Sequence, residues 1–596
     1  MIKAFYREEI SRRDKERKIL NRQIIWTSLG RLICFAIFIT GIFLWVQEGT
    51  WWLVLITFAF LALFLYLVRL SADLSEERNF ISNLVKIYEN ELKMIRERTG
   101  FFGTGEEFSG TSPFTADMDL FGKFSLFHLL NRTTSFHSAG YLASNIIHPL
   151  TSKEEIVKRQ KAVAVLAPQA IPCNELTAKG LLNATPGSMK AFETWLQLPS
   201  KTLHQLWMKW LLRGFPVFSV ASFLYYLSTG NYLFLLSAVL IGWVILSFFM
   251  KYINHQHGLL VFRLEDLKQY AGILKQFSII DAGDSEILIR LKKDAAEAAT
   301  AVRKLASLAS TAEQRNNLLV NIFLNSTLLY DLQIVHALEK WKRDHGEKFV
   351  HWKELIAEIE FYISLAAFSR NHPQYVFPEI LEGNPKVVAE KMGHPLIPEP
   401  EIVTNDVYFE DEKIRIVTGS NMSGKTTFLR TVGVNIILSG IGAPVFAEKM
   451  RITPLRLLTS VSISDSLQEH TSYFMAELKK LRMIIDGLEK GTPAMVMVDE
   501  ILRGTNSEDK TYGSAGFIRK ILQYNCLGII ATHDLALCKL EDEMPGIVKN
   551  YCFESFIREG ELVFDYTLRE GIATNKNASF LMNKMGVISE SSRDFL

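Results

Sequence analysis

Ile414-Arg-Ile-Val-Thr-Gly-Ser-Asn-Met-Ser-Gly-Lys-Thr-Thr-Phe-Leu-Arg430 is the stretch whose reading decides the fold. Its first five residues form a short β-branched run with the signature of a buried strand. The run enters Gly419-x4-Gly424-Lys425-Thr426 and then an apolar-periodic segment that reads as a helix. Strand, glycine loop and helix in that order are the context that a phosphate-binding loop requires. The glycines let successive backbone N–H groups turn toward phosphate oxygens at a helix N-terminus, where partial positive charge favours an anion. Lys425 adds a point charge for the β/γ-phosphates, and the Thr426 hydroxyl is a ligand for Mg²⁺. A chain of this length contains such a pattern by accident only about 0.02 times. The loop is therefore read as a nucleotide site.

Around that loop the composition is unusual. The chain has 596 residues, room for about three to five domains. Its net charge of +2 and pI near 8.1 set up no strong field for nucleic acid. Hydrophobic residues make up 48% of the chain, with 40 Phe and a positive mean hydropathy of +0.12, more than a soluble nucleotide-binding fold needs. The five cysteines (Cys34, Cys173, Cys526, Cys538, Cys552) are scattered without a C-x-x-C pair, which points to a reducing compartment and away from zinc.

The excess apolar residues fall in two blocks. Residues 1–31 hold nine Lys/Arg and read as a basic cytoplasmic tail. Residues 32–70 follow as a hairpin, Leu32–Val46 and Trp51–Val68 about the turn 47–50. From Gly49 to Val68 there are 20 consecutive uncharged residues, enough to cross a hydrocarbon core of about 30 Å. No small-residue cleavage site follows, so a signal peptide is rejected. Residues 214–250 are the second block, 37 without a charge, broken by Ser228-Thr-Gly-Asn231. The competing reading is a helical hairpin buried in a large soluble core. Both tight loops lack Lys and Arg, whereas Arg69, Lys209, Arg213 and Lys251 flank the apolar arms. The positive-inside rule then places both loops outside and the rest in the cytoplasm, as in an integral protein of the inner (cytoplasmic) membrane. Residues 71–213 read as a helical linker and the first part of a core, 251–390 as a helical lever, and 391–596 as the nucleotide domain.

A second chemical half lies downstream. Ala494-Met-Val-Met-Val-Asp-Glu500 is an apolar strand ending in two carboxylates. Asp499 is placed to hold Mg²⁺, and Glu500 to orient and deprotonate the attacking water. A third strand, Leu527–Ala531, ends in Thr532-His533-Asp534, and His533 there can bond the γ-phosphate or the water. Leu438-Ser-Gly-Ile-Gly442 superficially resembles an ABC-transporter signature, but its place after the loop helix makes it a helix end with a glycine stop.

With these motifs in view the chain resembles the MutS family. Gly419-Ser-Asn-Met-Ser-Gly-Lys-Thr-Thr427 is similar to the family's Gly-Pro-Asn-Met-Gly-Gly-Lys-Ser-Thr loop, with Ser420 and Ser423 as departures. Asp465–Glu477, Asp499-Glu-Ile-Leu-Arg-Gly-Thr505, Ala531-Thr-His533 and Gly393-His-Pro395 followed by Asn405 resemble further family segments. Asn131-Arg-Thr-Thr134, Pro149 and Arg159-Gln160 resemble the start of its helical core. The resemblance implies an α/β P-loop ATPase domain of ABC-like, MutS type on an all-α lever, here with two transmembrane hairpins. It implies ATP and Mg²⁺, bound by Gly419, Ser420, Asn421, Met422, Ser423, Gly424, Lys425, Thr426 and Thr427, with Thr426 and Asp499 on the metal. Lys425, Glu500 and His533 are implied as catalytic. Ile402 and Val403 would lie near the adenine, and Ser472 would reach the nucleotide of the other subunit in a homodimer, with Arg503 and Thr505 near the dimer contact.

The family's mismatch reader carries a Phe-x-Glu motif, and none occurs before residue 113; no carboxy-terminal nuclease-like domain is expected either. Residues 214–250 fall roughly where the family inserts its DNA-gripping clamp. Two functions stay open: a membrane-anchored MutS-like ATPase with double-stranded DNA as cargo, and a nucleotide-gated protein that remodels or recruits partners at the lipid bilayer without DNA.

Overall fold

The apolar runs at 414–418, 494–498 and 527–531 lie side by side in the middle of one sheet, buried along their whole length. The computed structural model describes residues 2–573 except 111–113, 183–189, 198–205, 261–263, 314–317, 399–400, 462–472, 503–505 and 559–560. Its strands are β1 (Glu379–Ile380), β2 (Val387–Met392), β3 (Asn405–Phe409), β4 (Ile414–Gly419), β5 (Lys449–Ile452), β6 (Arg456–Ser460), β7 (Ala494–Asp499), β8 (Cys526–Thr532), β9 (Val548–Arg558) and β10 (Glu561–Glu570). The large sheet runs β10-β9-β4-β8-β7-β6, parallel except for β10, which returns as a hairpin on β9. A smaller sheet, β1-β5-β2-β3, stands beside it. Register aligns the carboxyl ends: Thr418 pairs with Thr532, and Asp499 with Ala531. The phosphate loop, the acidic pair and the histidine are thereby brought to one edge, where open parallel sheets bind ligands.

The helical part is dominated by long elements: α1 (Ile2–Glu48), α2 (Trp51–Glu97), α3 (Leu206–Thr229), α4 (Leu233–Leu260), α5 (Glu286–Glu313) and α6 (Tyr330–Asn371). At 1.5 Å per residue, α1 and α2 are each about 70 Å long and α6 about 63 Å. Four helices are long and apolar enough to cross a membrane, and only 6%, 11%, 22% and 17% of their most apolar windows are buried in the chain. Residues 214–250 are thus not enclosed in a soluble core. Val217, Val220, Leu224, Leu233, Leu240 and Phe248 are all exposed. One face of that hairpin packs Phe215 and Leu246 on Leu329, Leu332 and Val335.

One expectation changes. Of residues 1–31, read as a basic tail, 2–31 form the first two-thirds of α1. The arginines of the 12–18 run are paired at helical spacing: Arg12 with Glu9 and Glu16, and Arg17 with Asp14. Tyr6 and Leu20 then pack on Ile81, Leu84 and Tyr88 of α2. Packing that a count of basic residues does not register docks the stretch on α2.

At the base of the two long helices a buried polar network joins four elements. Arg132 donates to Glu91 through Nε (2.6 Å) and Nη2 (3.0 Å), and Asn371 also donates to that carboxylate. Tyr6 donates to Asn371 (2.8 Å) and accepts from Arg370 Nε (3.0 Å). Burial alone would raise the Glu91 pKa, yet the Arg132 guanidinium and the other donors outweigh it and hold the carboxyl below its usual value. The next residue along, His372, stacks on Tyr375, which stacks on Phe446 of the α/β domain.

The helical core meets the α/β domain through the segments that resemble the family's core. Pro149 packs against Gly440, Arg159 against Gly442, and Gln160 donates to the Pro378 carbonyl (3.0 Å). Helix Lys425–Gly440 ends there, as the glycine stop predicts.

Candidate nucleotide site

The loop geometry follows from its two glycines. Gly419 sits at φ +152°, where a Cβ would lie 2.8 Å from the Phe553 carbonyl oxygen. Gly424 caps the helix Lys425–Gly440 at φ +106°, with Tyr566 over its Cα. Only glycine meets both demands without strain. Met422 also takes positive φ, +67°, at the loop's outer turn and is exposed. Lys425 is buried; its ammonium donates to the carbonyls of Gly419 (2.8 Å) and Ser420 (2.9 Å) and lies 3.2 Å from His533 Nε2. The hydroxyls of Ser420 and Ser423 are buried and, among the described residues, have no hydrogen-bond partner. Unpaired buried hydroxyls are costly, and a phosphate in the loop would satisfy them.

The acidic pair completes the edge. Thr426 donates to Asp499 at 2.5 Å, so hydroxyl and carboxylate already share one position. Those two oxygens suit Mg²⁺, which takes one or two protein ligands and keeps water and phosphate for the rest. Glu500 leaves the strand in a left-handed conformation, φ +57°, held by its N–H donating to Ala531 (2.9 Å). A glutamate at such φ stores of order 1 kcal/mol, and the turn aims its carboxylate into the cleft. Glu500 Oε1 stands 3.2 Å from His533 Nε2. Burial lowers the His533 pKa and the Lys425 charge lowers it further, against the opposing pull of Glu500 and Asp499. His533 is therefore neutral at pH 7, with one ring nitrogen able to accept and the other to donate.

These groups line one cavity of about 740 Å³. Asn421, Met422, Ser423, Gly424, Lys425, Thr426, Thr427, Asp499, Glu500 and His533 all reach it, and so do Ile402 and Val403. Gly419 and Ser420 stand behind it as acceptors for Lys425. Ser472, Arg503 and Thr505 lie outside the described residues. Two further wall residues have no role assigned by the motifs, although His394 stands within Gly393-His-Pro395. Tyr566 arrives from a bulge in β10, pinned by Asn405, whose side chain donates to its carbonyl (3.0 Å) and accepts from Leu568 N–H (2.7 Å). His394 is buried beside the cavity, and burial with the nearby Arg430 charge pushes its pKa down to about 4. Only the strand pairing brings Tyr566 to the loop, more than 140 positions away in the chain.

Fold and site define an α/β domain: a largely parallel sheet with its glycine loop, the Thr426–Asp499 pair and a strand-end histidine at one edge. Residues 415–589 match the model of MutS domain V. The likeness to the MutS family lies in this domain. It is 33% identical over 245 residues to the DNA mismatch repair protein MutS of Clostridioides difficile (strain 630), covering 37% of this chain and 25% of that protein. It is 28% identical over 236 residues to the protein of that name from Thermotoga neapolitana, covering 39% and 29%, and 31% identical over 224 residues to that from Clostridium botulinum (strain Okra), covering 35% and 23%. The chain thus spans about a quarter of the length of these relatives.

Proposed function

We propose that this protein is a Mg²⁺-dependent ATPase of the MutS type, anchored in a membrane by its two apolar hairpins, whose nucleotide cycle moves those helices. The observation that carries the reading is the convergence on one sheet edge of Lys425, the Thr426–Asp499 pair, Glu500 and His533, with two unsatisfied hydroxyls in the loop between them. ATP is the substrate. Bound Mg²⁺, held by Thr426 and Asp499, would supply electrostatic stabilisation of charge developing on the β/γ-phosphate oxygens. The rest falls to the chain. The loop N–H groups and the serine hydroxyls bind phosphate. Lys425, which now spends its hydrogens on two carbonyls and His533, turns them to the β/γ-oxygens. Glu500 takes a proton from the attacking water, and neutral His533 orients that water or donates to the γ-phosphate. Ile402 and Val403 supply an apolar wall for the base. Ser472 of a second copy completes the site in a homodimer.

The test is ATP turnover by the full chain in detergent. Glu500→Gln is expected to keep nucleotide affinity and to lower turnover by about 10²–10⁴-fold. Unchanged turnover would remove Glu500 from the role of general base. The anchoring reading rests on four long apolar helices whose windows are mostly exposed. With the tight loops free of Lys and Arg, it places both termini and the ATPase domain in the cytoplasm.

The relatives' names favour DNA as a partner, but the similarity is confined to the nucleotide domain. A duplex titration across salt separates the readings, because phosphate contacts make affinity fall steeply with salt. Binding at low salt that weakens in this way supports DNA as cargo; no binding at low salt leaves the bilayer as the load.

A further inference from the structure

Where the second apolar hairpin meets the helical core, basic groups converge from two helices. Lys209 and Arg213 stand one turn apart on α3. His336, Lys340 and Arg343, with Gln333, occupy one stripe of α6 facing them, and together they line a cavity of about 400 Å³. Among the described residues, no Asp or Glu lines it. Among the described residues, Lys209, Arg213 and Lys340 have no carboxylate partner, while Arg343 pairs with Asp344 at 3.2 Å. Cations gathered this way repel one another and weaken the folded state, and the wall provides no countercharge. A phosphate group would provide it, taking bidentate bonds from an arginine fork and point charges from the lysines.

The position of the cavity indicates where that phosphate comes from. Arg213 is the last charged residue before 37 uncharged ones, and Lys251 is the first after them. Trp207 and Trp210, on the same turns as Lys209, are 50% and 75% exposed, like rings of an interfacial belt. The basic run at 12–18 is a poorer candidate, since its arginines are already paired with Glu9, Asp14 and Glu16. We infer that the cavity between α3 and α6 binds the phosphate of an anionic lipid headgroup at the cytoplasmic boundary of the bilayer. Basic pockets between helices at that level suit such headgroups. The inference rests on the membrane reading of α3 and α4.

The test reconstitutes the full chain into nanodiscs of equimolar phosphatidylcholine and phosphatidylglycerol, then identifies co-purified lipid by mass spectrometry. The wild type is expected to retain phosphatidylglycerol about tenfold over phosphatidylcholine. K209Q/R213Q/K340Q is expected to fall to parity, whereas K209R/K340R, which keeps the charge, retains the preference and so controls for folding. Equal enrichment in the triple variant and the wild type would overturn the site. Stabilisation of the solubilised wild type by inorganic phosphate, with no phosphatidylglycerol preference, would overturn the lipid source. A carbonate wash of membranes separates the two levels. Release of the wild type into the supernatant would sink the membrane reading itself; retention, with the triple variant unchanged in enrichment, would sink only the headgroup site.

Discussion

Lys425 shows how much one side chain settles in a phosphate loop. In this structure its ammonium is held by two loop carbonyls and His533, and the proposed nucleotide would exchange those bonds for phosphate oxygens. Lys425→Ala is expected to abolish ATP binding measured by filter retention, whereas Glu500→Gln spares it. Gly419→Ala is expected to do the same as the lysine variant, because its Cβ would press on a backbone carbonyl of β9 that cannot retreat without breaking the sheet. Histidine titration adds a prediction about stability. Burial and the Arg430 charge push His394 down to about 4; burial and Arg98 push His372 down to about 3. Both stay neutral when folded, while unfolded histidine takes a proton near pH 6.5, so stability is full above that pH and is lost as pH falls below it. Each contributes a loss of about 2 kcal/mol between pH 6.5 and 5. Urea midpoints at the two pH values check this, and a midpoint that is flat with pH would contradict it.

Among the elements, the base of the first hairpin is where the apolar helices are tied to the end of α6, which leads into the α/β domain. Glu91 on α2, Arg132 at the start of the core, and Arg370 and Asn371 at the end of α6 share one buried network with Tyr6 of α1. Removing one partner of a buried ion pair leaves the other charge stranded. Glu91→Gln is therefore expected to destabilise by about 3–5 kcal/mol, and Tyr6→Phe by about 1–2 kcal/mol, read from chemical-denaturation midpoints. The same junction continues through Asp117, fully buried, which accepts from Thr459 (2.7 Å) and the Val461 N–H (3.2 Å) and pairs with Lys480 at 3.4 Å. Arg430, from the helix that begins at the phosphate loop, pairs with Asp119. A short segment before the core is thus gripped by both the loop helix and the helix Tyr473–Leu488.

Across the whole molecule, one apolar core runs without a break from the lever helices into the large sheet. A core shared in this way unfolds cooperatively, so a ligand on the sheet edge should stabilise the lever. The sequence offers a reporter: all ten tryptophans lie between Trp26 and Trp352, none in the nucleotide domain. Saturating a hydrolysis-resistant ATP analogue at about 100 times Kd should add about 2.7 kcal/mol to the stability that tryptophan fluorescence reports. An unmoved tryptophan transition would show that the two parts unfold separately.

The sequence by itself determined the α/β domain: β-branched runs of strand length, glycines where φ turns positive, and charged groups at strand ends. These signals are local, and strands buried on both faces write them as continuous apolar runs. It also determined the apolar hairpins as segments, since 20 and 37 uncharged residues need no partner to be noticed. The tertiary structure decided what depends on distant pairing. Tyr566 reaches Gly424 only because β10 folds back on β9, and His394 becomes a wall residue only through burial. The basic run at 12–18 lies in a docked helix because Tyr6 and Leu20, on either side of it, pack on α2. Lys209 and Lys340, 131 positions apart, become one cationic cavity only when α3 and α6 are laid side by side. The glycine loop was therefore legible from its own 17 residues, while the path from that loop to the apolar helices is written in contacts that no single stretch contains.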